Sequence, residues 1–138
     1  MESIEEKAAS MLQRCETVNL ASVSMEGYPR PVPMARISSK GFSTVWLTTG
    51  KDSLKVKHFL ENPKAGLSYF ENGNSVVLTG DVEVITDLET KKQFWMDWFI
   101  EYFPNGFEDT NYCLLKFKAT YATFWIDKEF IHKEVKEV

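Results

Sequence analysis

Short turn signals divide most of this chain into strand-length segments. Glu26-Gly27, Lys40-Gly41 and Asn72-Gly73 each separate two such segments. A glycine at these positions accepts the positive φ that tight hairpin turns need. The flanking segments carry apolar residues at alternate positions, which is the period of a half-buried strand. Strands joined by hairpins pair with their sequence neighbours, so the chain is predicted to form an antiparallel, mainly-β fold.

The predicted elements give a closed or partly closed barrel with flanking helices. Ser3 and Glu6 have the spacing of a capping box, and Asp87 is placed to cap a later helix. Six to seven antiparallel strands are expected within a single domain covering residues 1–138. Helices are predicted over 3–16, 53–61 and 88 to about 102, strands over 17–24, 30–38, 42–49, 65–70, 75–85, 112–119 and 121–127, and a short strand or charged tail over 130–138.

Composition excludes several classes of function. The formal net charge of −4 and the lack of a polybasic run argue against a nucleic-acid or membrane-surface binder. The acidic N-terminus has no apolar signal-peptide core, and no apolar run is long enough to span a bilayer. A cytoplasmic protein is therefore expected. Cys15 and Cys113 are predicted to be small buried hydrophobes, and His58 a helix-surface residue. With His132 distant in sequence, these residues predict neither a metal site nor a catalytic triad.

Three alternate prolines mark one predicted strand as unusual. Pro29, Pro31 and Pro33 have no backbone N–H, so they cannot donate to a neighbouring strand on the side to which their nitrogens point. One edge of this strand is predicted to be unpaired over part of its length. Such an edge suits a ligand or an opening in a barrel.

The segment 48–63 predicts an anion site. Thr48-Thr49 ends a strand, Asp52 or Ser53 can cap the following short helix, and Asn62-Pro63 stops it. Ser53 and Lys55 lie in the first turn, where unpaired N–H groups and the positive end of the helix dipole favour a phosphate. The nearby Lys51 and Lys57 add positive charge. The alternative interpretation is a solvated basic helix.

An aromatic run also has two interpretations. Several of its members recur at spacings of three and four, which is typical of a helix packed against a core. The alternative is a patch at a dimer interface or pocket rim. The run comprises Phe94, Trp95, Trp98, Phe99, Tyr102 and Phe103.

The order of five segments resembles that in the flavin-binding split-barrel superfamily, the pyridoxamine 5'-phosphate oxidase-like proteins, and most closely their general stress protein branch. The resemblance covers roughly residues 5–128. It implies an FMN-binding split barrel that is a homodimer, with flavin in two clefts at the subunit interface; FAD is a possible substitute for FMN. The segments are Gly27–Met34, Val45–Thr49, Asp52–Lys55, Asn62–Leu67 and Val76–Val84.

The resemblance assigns the cofactor phosphate to Ser53 and Lys55, which match a Ser-x-Lys segment. Two positions depart from it. Leu54 stands where relatives often have Arg, and Val32 stands where many carry the Arg of Arg-Pro-Met. Arg30 and Arg36 share the strand face of position 32 by alternation, so either is a candidate replacement.

The remaining assignments concern the flavin ring. Backbone groups of Val32, Pro33 and Met34, together with those of Thr48 and Thr49, are expected to face it. The list is completed by two residues from later strands, Ser75 at the position of a glutamine in the full oxidases and Trp125 near the partner subunit's flavin.

The implied function is a small oxidoreductase that passes electrons from reduced nicotinamide through FMN to an unknown acceptor. The flavin carries this chemistry, and no acid or base in the sequence stands out as catalytic. A non-catalytic flavin-binding stress protein is the alternative. Less favoured are a haem-binding protein, with His58, His132 or a tyrosine as axial ligand, and a pyridoxamine phosphate oxidase, whose substrate-binding C-terminal extension is absent from this sequence.

Overall fold

The computed structural model of the chain describes residues 1–136. Within them, three α-helices and seven strands alternate with two short 3-10 helices, Asp97–Glu101 and Gly106–Glu108. The elements are α1 (Ile4–Arg14), β1 (Thr17–Val23), β2 (Pro29–Lys40), β3 (Thr44–Gly50), α2 (Leu54–Glu61), β4 (Lys64–Glu71), β5 (Asn74–Ile85), α3 (Leu88–Gln93), β6 (Tyr112–Ile126) and β7 (Glu129–Glu134).

Six of the strands close into an antiparallel barrel. They are hydrogen-bonded in the order β3-β2-β1-β4-β5-β6, and the pairing of β6 with β3 completes the ring. The seventh strand, β7, pairs with the second half of β6, beyond Lys118, which is the last residue of β6 that pairs with β3. This confirms the predicted mainly-β barrel of six to seven antiparallel strands with flanking helices. Of the predicted final segment, residues 137–138 lie outside the described part of the chain.

The main core fills the barrel and the groove beneath α1. Alternate residues of the strands point inward, and Ala8, Met11 and Leu12 of α1 are each at most 3% exposed. The buried Tyr69 side chain donates its hydroxyl toward the carbonyls of Ala8 and Phe42, at 3.3 and 3.2 Å. The predicted capping box is present, because Ser3 Oγ accepts from the Glu6 N–H and the Glu6 carboxylate accepts from the Ser3 N–H.

A bulge lets one strand serve two partners. Two strands were predicted over 112–127, but β6 is continuous, and this prediction is wrong. Thr79 pairs with Tyr121 and Gly80 with Ala119, so Thr120 is the extra residue. The backbone of β6 comes close to Gly80 here: a Cβ on Gly80 would lie 2.0 Å from the Lys118 carbonyl oxygen. The bulge lies at the point along β6 where its partner on one edge changes from β3 to β7.

The predicted long helix over 88–102 is also wrong. Asp87 does cap α3 through the Thr90 N–H, but the helix ends at Gln93. Tertiary packing overrides helical continuity here, because aromatic residues gain more from burial than from helix formation. Phe94 stacks on Trp46 of β3 at 4.0 Å between ring centroids. The residues that follow build a second small core on the outside of the barrel, which includes Ile37, Ile85, Phe99, Phe103, Tyr112 and Leu114.

Only part of the aromatic run packs against a core. Phe99 and Phe103 are buried, whereas Trp98 and Tyr102, which helical spacing assigned to the same packed face as Phe99, are 45% and 65% exposed. Trp98 and Tyr102 are exposed because the helix ends at Gln93, and the residues beyond it no longer follow the helical spacing that placed them on the same face as Phe99. No helix within residues 1–136 is both long and apolar enough to cross a bilayer.

Candidate functional site

The barrel wall is split between β2 and β3. Their pairing begins at Arg36 and Leu47 and runs away from the split through Lys40 and Thr44. On the other side of that point β3 continues as residues 48–50, paired with β6 alone, and residues 29–35 of β2 pair with β1 alone. Within the described chain, two strand edges therefore lie unpaired beside each other, and the edge of β2 is the one that the prolines predicted.

The prolines turn their nitrogens toward this split. Ser24 N–H donates to the Tyr28 carbonyl at 2.8 Å, which makes their pair a hydrogen-bonded one. Antiparallel pairs alternate, so the next pair, Val23 with Pro29, is not hydrogen-bonded, and the same holds for the pairs of Pro31 and Pro33. Their backbone groups point away from β1. Because proline lacks an N–H, this stretch presents only carbonyl acceptors.

The start of α2 lies next to the split and has no side-chain cap. Ser53 is its N-cap residue, but the Ser53 side chain makes no capping bond; its Oγ accepts from Thr49 Oγ1 at 3.3 Å. The other two helices differ, because Ser3 and Asp87 both accept a first-turn N–H. There is also no acidic residue in the first turn of α2. The helix start thus keeps its N–H donors and its positive dipole end uncompensated.

Lys55 lies in the first turn of this helix, and Arg30 pairs with Ser22, the residue that bonds His58 of the same helix. The pKa of Lys55 is lowered, first by burial of the ammonium group and then by repulsion from Arg30. Among the described residues, neither cation has a carboxylate within 4.0 Å, whereas Lys7, Arg14 and Lys133 each do. A lysine that is half-buried, close to an arginine and without a carboxylate is poised for an anion.

The structure distinguishes the two candidate replacements for an arginine at position 32. Arg36 donates to the carbonyls of Cys15 and Gln13, both at 3.1 Å, and so caps the C-terminus of α1. Arg30 makes no such contact and lies near Lys55. Of the two arginines, only Arg30 is therefore free to contribute its charge near the start of α2.

The other residues assigned on β2 and β3 line the split. Val32 is half-buried against the main core, Pro33 is exposed on the outside and Met34 is buried. Thr48 Oγ1 donates to the Cys113 carbonyl at 3.1 Å. Leu54 is 50% exposed at the first position of α2, so its side chain does not close the anion site.

His58 is buried, which corrects the prediction of a surface histidine. Its side chain is 3% exposed, and His58 Nδ1 lies 2.8 Å from Ser22 Oγ on β1. The bond fixes α2 against the strand that pairs with Arg30. Cys113 is buried as predicted, and burial raises the pKa of its thiol to about 11. Cys15 is only partly buried, contrary to prediction.

Ser75 and Trp125 do not join this site within one chain. They pair with each other near the far end of β6, whereas Thr49 pairs with Cys113 near its start. Twelve residues separate the two places along β6, which is up to about 40 Å at about 3.3 Å per residue. If Ser75 and Trp125 contact a ligand held by α2, that ligand belongs to another copy of the chain.

Two concavities lie away from the split. Their volumes are about 360 and 310 Å³, and both are bordered by Arg14 and Glu71. These residues form a two-pronged ion pair, with Arg14 Nη2 at 2.8 Å from Glu71 Oε1. Lys7, the other cation beside these concavities, is paired with Asp127 at 2.9 Å, so neither cation there is left without a carboxylate.

Sequence comparison now identifies the family. The profile of the pyridoxamine 5'-phosphate oxidase family matches residues 4–126. The chain belongs to this family. No curated protein matches it. The expectation from the resemblance is thereby confirmed at the level of the family.

Several solved structures share the fold. A protein related to general stress protein 26, from Clostridium acetobutylicum, has a TM-score of 0.82 at 23% identity, with 94% of this chain and 92% of that chain covered. A related FMN-binding protein from Nostoc punctiforme has a TM-score of 0.63 at 14% identity, with 95% and 94% covered. A heme-binding protein from Mycobacterium smegmatis scores 0.76 at 13% identity, with 97% and 59% covered. The fold is therefore the split barrel of this family.

Proposed function

We propose that this pyridoxamine 5'-phosphate oxidase-like protein binds FMN, with the cofactor phosphate at the start of α2. The observation that carries the proposal is an uncapped helix start with Lys55 in its first turn. Arg30 lies nearby on β2, and neither cation has a carboxylate partner in the described chain. Ser53 completes the donor set. A phosphate monoester carries about −1.5 to −2 charges near neutral pH and accepts several hydrogen bonds, so it matches this arrangement.

The split suits the flavin ring. The pyrimidine end of an isoalloxazine carries an N–H donor, and the proline edge of β2 offers carbonyl acceptors only. By the alternation of the strand pairs, the backbone groups of Pro33 face the split from β2 and those of Thr48 face it from β3, whereas those of Val32 and Met34 point to β1 and those of Thr49 to β6. The groups that face the split would hold and orient the ring between two strand edges. FAD would place the same phosphate in the same site, and chromatography of the released cofactor distinguishes the two flavins.

A bound flavin would accept a hydride from reduced nicotinamide and pass electrons to a further acceptor. The residues of the chain hold the phosphate, orient the ring and limit access to it, and the protein acts as a small oxidoreductase. Steady-state oxidation of reduced nicotinamide by the flavin-loaded protein tests this step. Flavin binding without such oxidation would favour the non-catalytic flavin-binding protein instead.

The cofactor is identified by the visible spectrum of protein purified without added ligand. We expect the two-band spectrum of oxidised flavin. A single intense Soret band would indicate haem and contradict the proposal. His58 is an unfavourable haem ligand, because it is 3% exposed and its Nδ1 is bonded to Ser22.

We also propose a homodimer that completes the flavin site. A row of side chains on the outer face of the sheet crosses four strands through the pairs Phe70–Ser75, Ser75–Trp125 and Trp125–Phe130. Phe70, Trp125 and Phe130 are 71%, 38% and 59% exposed. A contiguous apolar patch of this kind is typical of a protein interface. A second copy on this face would bring its Ser75 and Trp125 within reach of a flavin that the first copy cannot reach with its own.

The dimer makes a mass prediction. Sedimentation at micromolar concentration should give about twice the monomer mass of 15.9 kDa. Trp125→Glu places a charge in the apolar row and should give a monomer with weakened flavin binding. Leu88→Glu is the matched control, because Leu88 is 50% exposed at the start of α3 and belongs neither to this row nor to the aromatic run. A parent monomer that binds flavin fully would refute the shared site.

The missing arginine at position 54 gives a gain-of-function prediction. Leu54→Arg adds a donor at the uncapped start of α2 from a side chain that is already 50% exposed, so the fold should tolerate it. We expect FMN affinity to rise by up to about tenfold, since one charge-assisted hydrogen bond contributes about 1.5–3 kcal/mol less the cost of ordering the side chain. Leu60→Arg, at the other end of α2, is the matched control. Equal effects of both variants in a fluorescence titration would show only a change in net charge.

A further inference from the structure

We infer that Asn111 is a positioning residue for the cofactor phosphate, because it holds the loop that leads from β3 into α2. The inference rests on the proposed function. The Asn111 carbonyl accepts from the Lys51 N–H at 2.7 Å, and Asn111 Oδ1 accepts from the Asp52 N–H at 3.2 Å. Asn111 thus binds two successive N–H groups directly before Ser53.

The clamp is itself anchored in buried structure. Asn111 N–H donates to Asp109 Oδ1 at 2.9 Å, and Asp109 is 7% exposed. The second carboxylate oxygen of Asp109 accepts from the Asn105 N–H, and its carbonyl accepts from Lys91 Nζ at 3.1 Å. The buried Lys91 belongs to α3. The loop is therefore connected through Asn111 and Asp109 to the segment that packs on the outside of the barrel.

The space around Gly50 supports the same arrangement. A Cβ on Gly50 would lie 2.7 Å from Asp52 Oδ1 and 2.8 Å from Asn111 Nδ2, so these two side chains close over the glycine. The carboxylate of Asp52 is thereby kept beside Gly50. Asp52 directly precedes Ser53, and aspartate is a good helix cap. Without the clamp, the Asp52 side chain is able to turn toward the start of α2 and compete with a phosphate for its N–H groups.

The clamp predicts a defect that is specific to the phosphate. Asn111→Ala removes the acceptor for the Asp52 N–H, and the loop must then be ordered when the phosphate binds. We expect FMN affinity to fall about tenfold, while riboflavin, which lacks the phosphate, binds within twofold of the parent. Gly50→Ala should act in the same direction, because its Cβ displaces both the Asn111 amide and the Asp52 carboxylate without changing either residue. Asn105→Ala is the matched control, since the bond to Asp109 uses the backbone of Asn105 and survives the substitution.

The deciding experiment joins these titrations to amide hydrogen exchange in the cofactor-free protein. Exchange of the Asp52 amide should be at least tenfold faster in Asn111→Ala than in the parent, with the melting temperature little changed. Equal losses for FMN and riboflavin would overturn the positioning role, and so would an unchanged Asp52 exchange rate. If the parent itself binds neither flavin, the proposed function fails, and the Asp52 exchange rate still decides whether Asn111 clamps the loop.

Discussion

FMN binding should fall by about a hundredfold to a thousandfold when Arg30 and Lys55 are both replaced by alanine. Each hydrogen bond between a cation and a phosphate contributes about 1.5–3 kcal/mol, and the two losses need not be fully additive. The variant also relieves a repulsion, because Arg30 is one cause of the lowered pKa of Lys55. The folded protein without cofactor should therefore be no less stable than the parent.

The control for this variant removes the same charge elsewhere. Lys40→Ala with Lys64→Ala changes two exposed lysines at the end of β2 and the start of β4. Loss of general electrostatic attraction would weaken FMN binding equally in both double variants, and more at low salt. If the phosphate binds at α2, only the double variant of Arg30 and Lys55 should show a large loss of FMN affinity. Riboflavin titrations of all three proteins should differ little.

A large loss of stability is expected for Gly80→Ala. The added Cβ would lie 2.0 Å from the Lys118 carbonyl oxygen and 2.7 Å from the Ala119 Cα. Both are backbone atoms of β6, so relief requires that the strands move apart at the bulge. We expect a decrease of about 3 kcal/mol in the free energy of unfolding, measured by urea denaturation.

The neighbouring strand provides the matched glycine. A Cβ on Gly66 of β4 meets nothing closer than 3.8 Å. Gly66→Ala should therefore be neutral or stabilise the fold by up to about 1 kcal/mol, because alanine lowers the entropy of the unfolded chain. Equal stability of the two variants would contradict the claim that the close approach of β6 excludes a Cβ at position 80.

Local chemistry made much of this fold predictable. Asn72 and Gly73 adopt the positive φ of 49° and 83° that their hairpin signal implies. The prolines of β2 placed an unpaired edge where the split is found. These features depend on residues that are adjacent in sequence, and local rules suffice for them.

Long-range packing decided the rest. The helix predicted to continue past Gln93 ends there because Phe94 stacks on Trp46, a residue 48 positions away in sequence. Burial of His58 depends on Ser22 of another element. By strand alternation, Arg36 lies on the same face of β2 as Arg30. Only the position of α1 shows that Arg36 instead binds the carbonyls of Gln13 and Cys15. Asn111 belongs to no motif, so its contact with the loop could be found only from the pairing of β3 with β6.

The central claim is that the start of α2 binds the phosphate of FMN. It is tested most directly by the ratio of the dissociation constants of FMN and riboflavin for the parent protein, measured by fluorescence titration. The two ligands share the ring and differ in the phosphate. The arrangement of Ser53, Lys55 and Arg30 predicts that FMN binds at least about tenfold more tightly, with an advantage that shrinks as salt is added. Equal affinities at low salt would contradict the phosphate site.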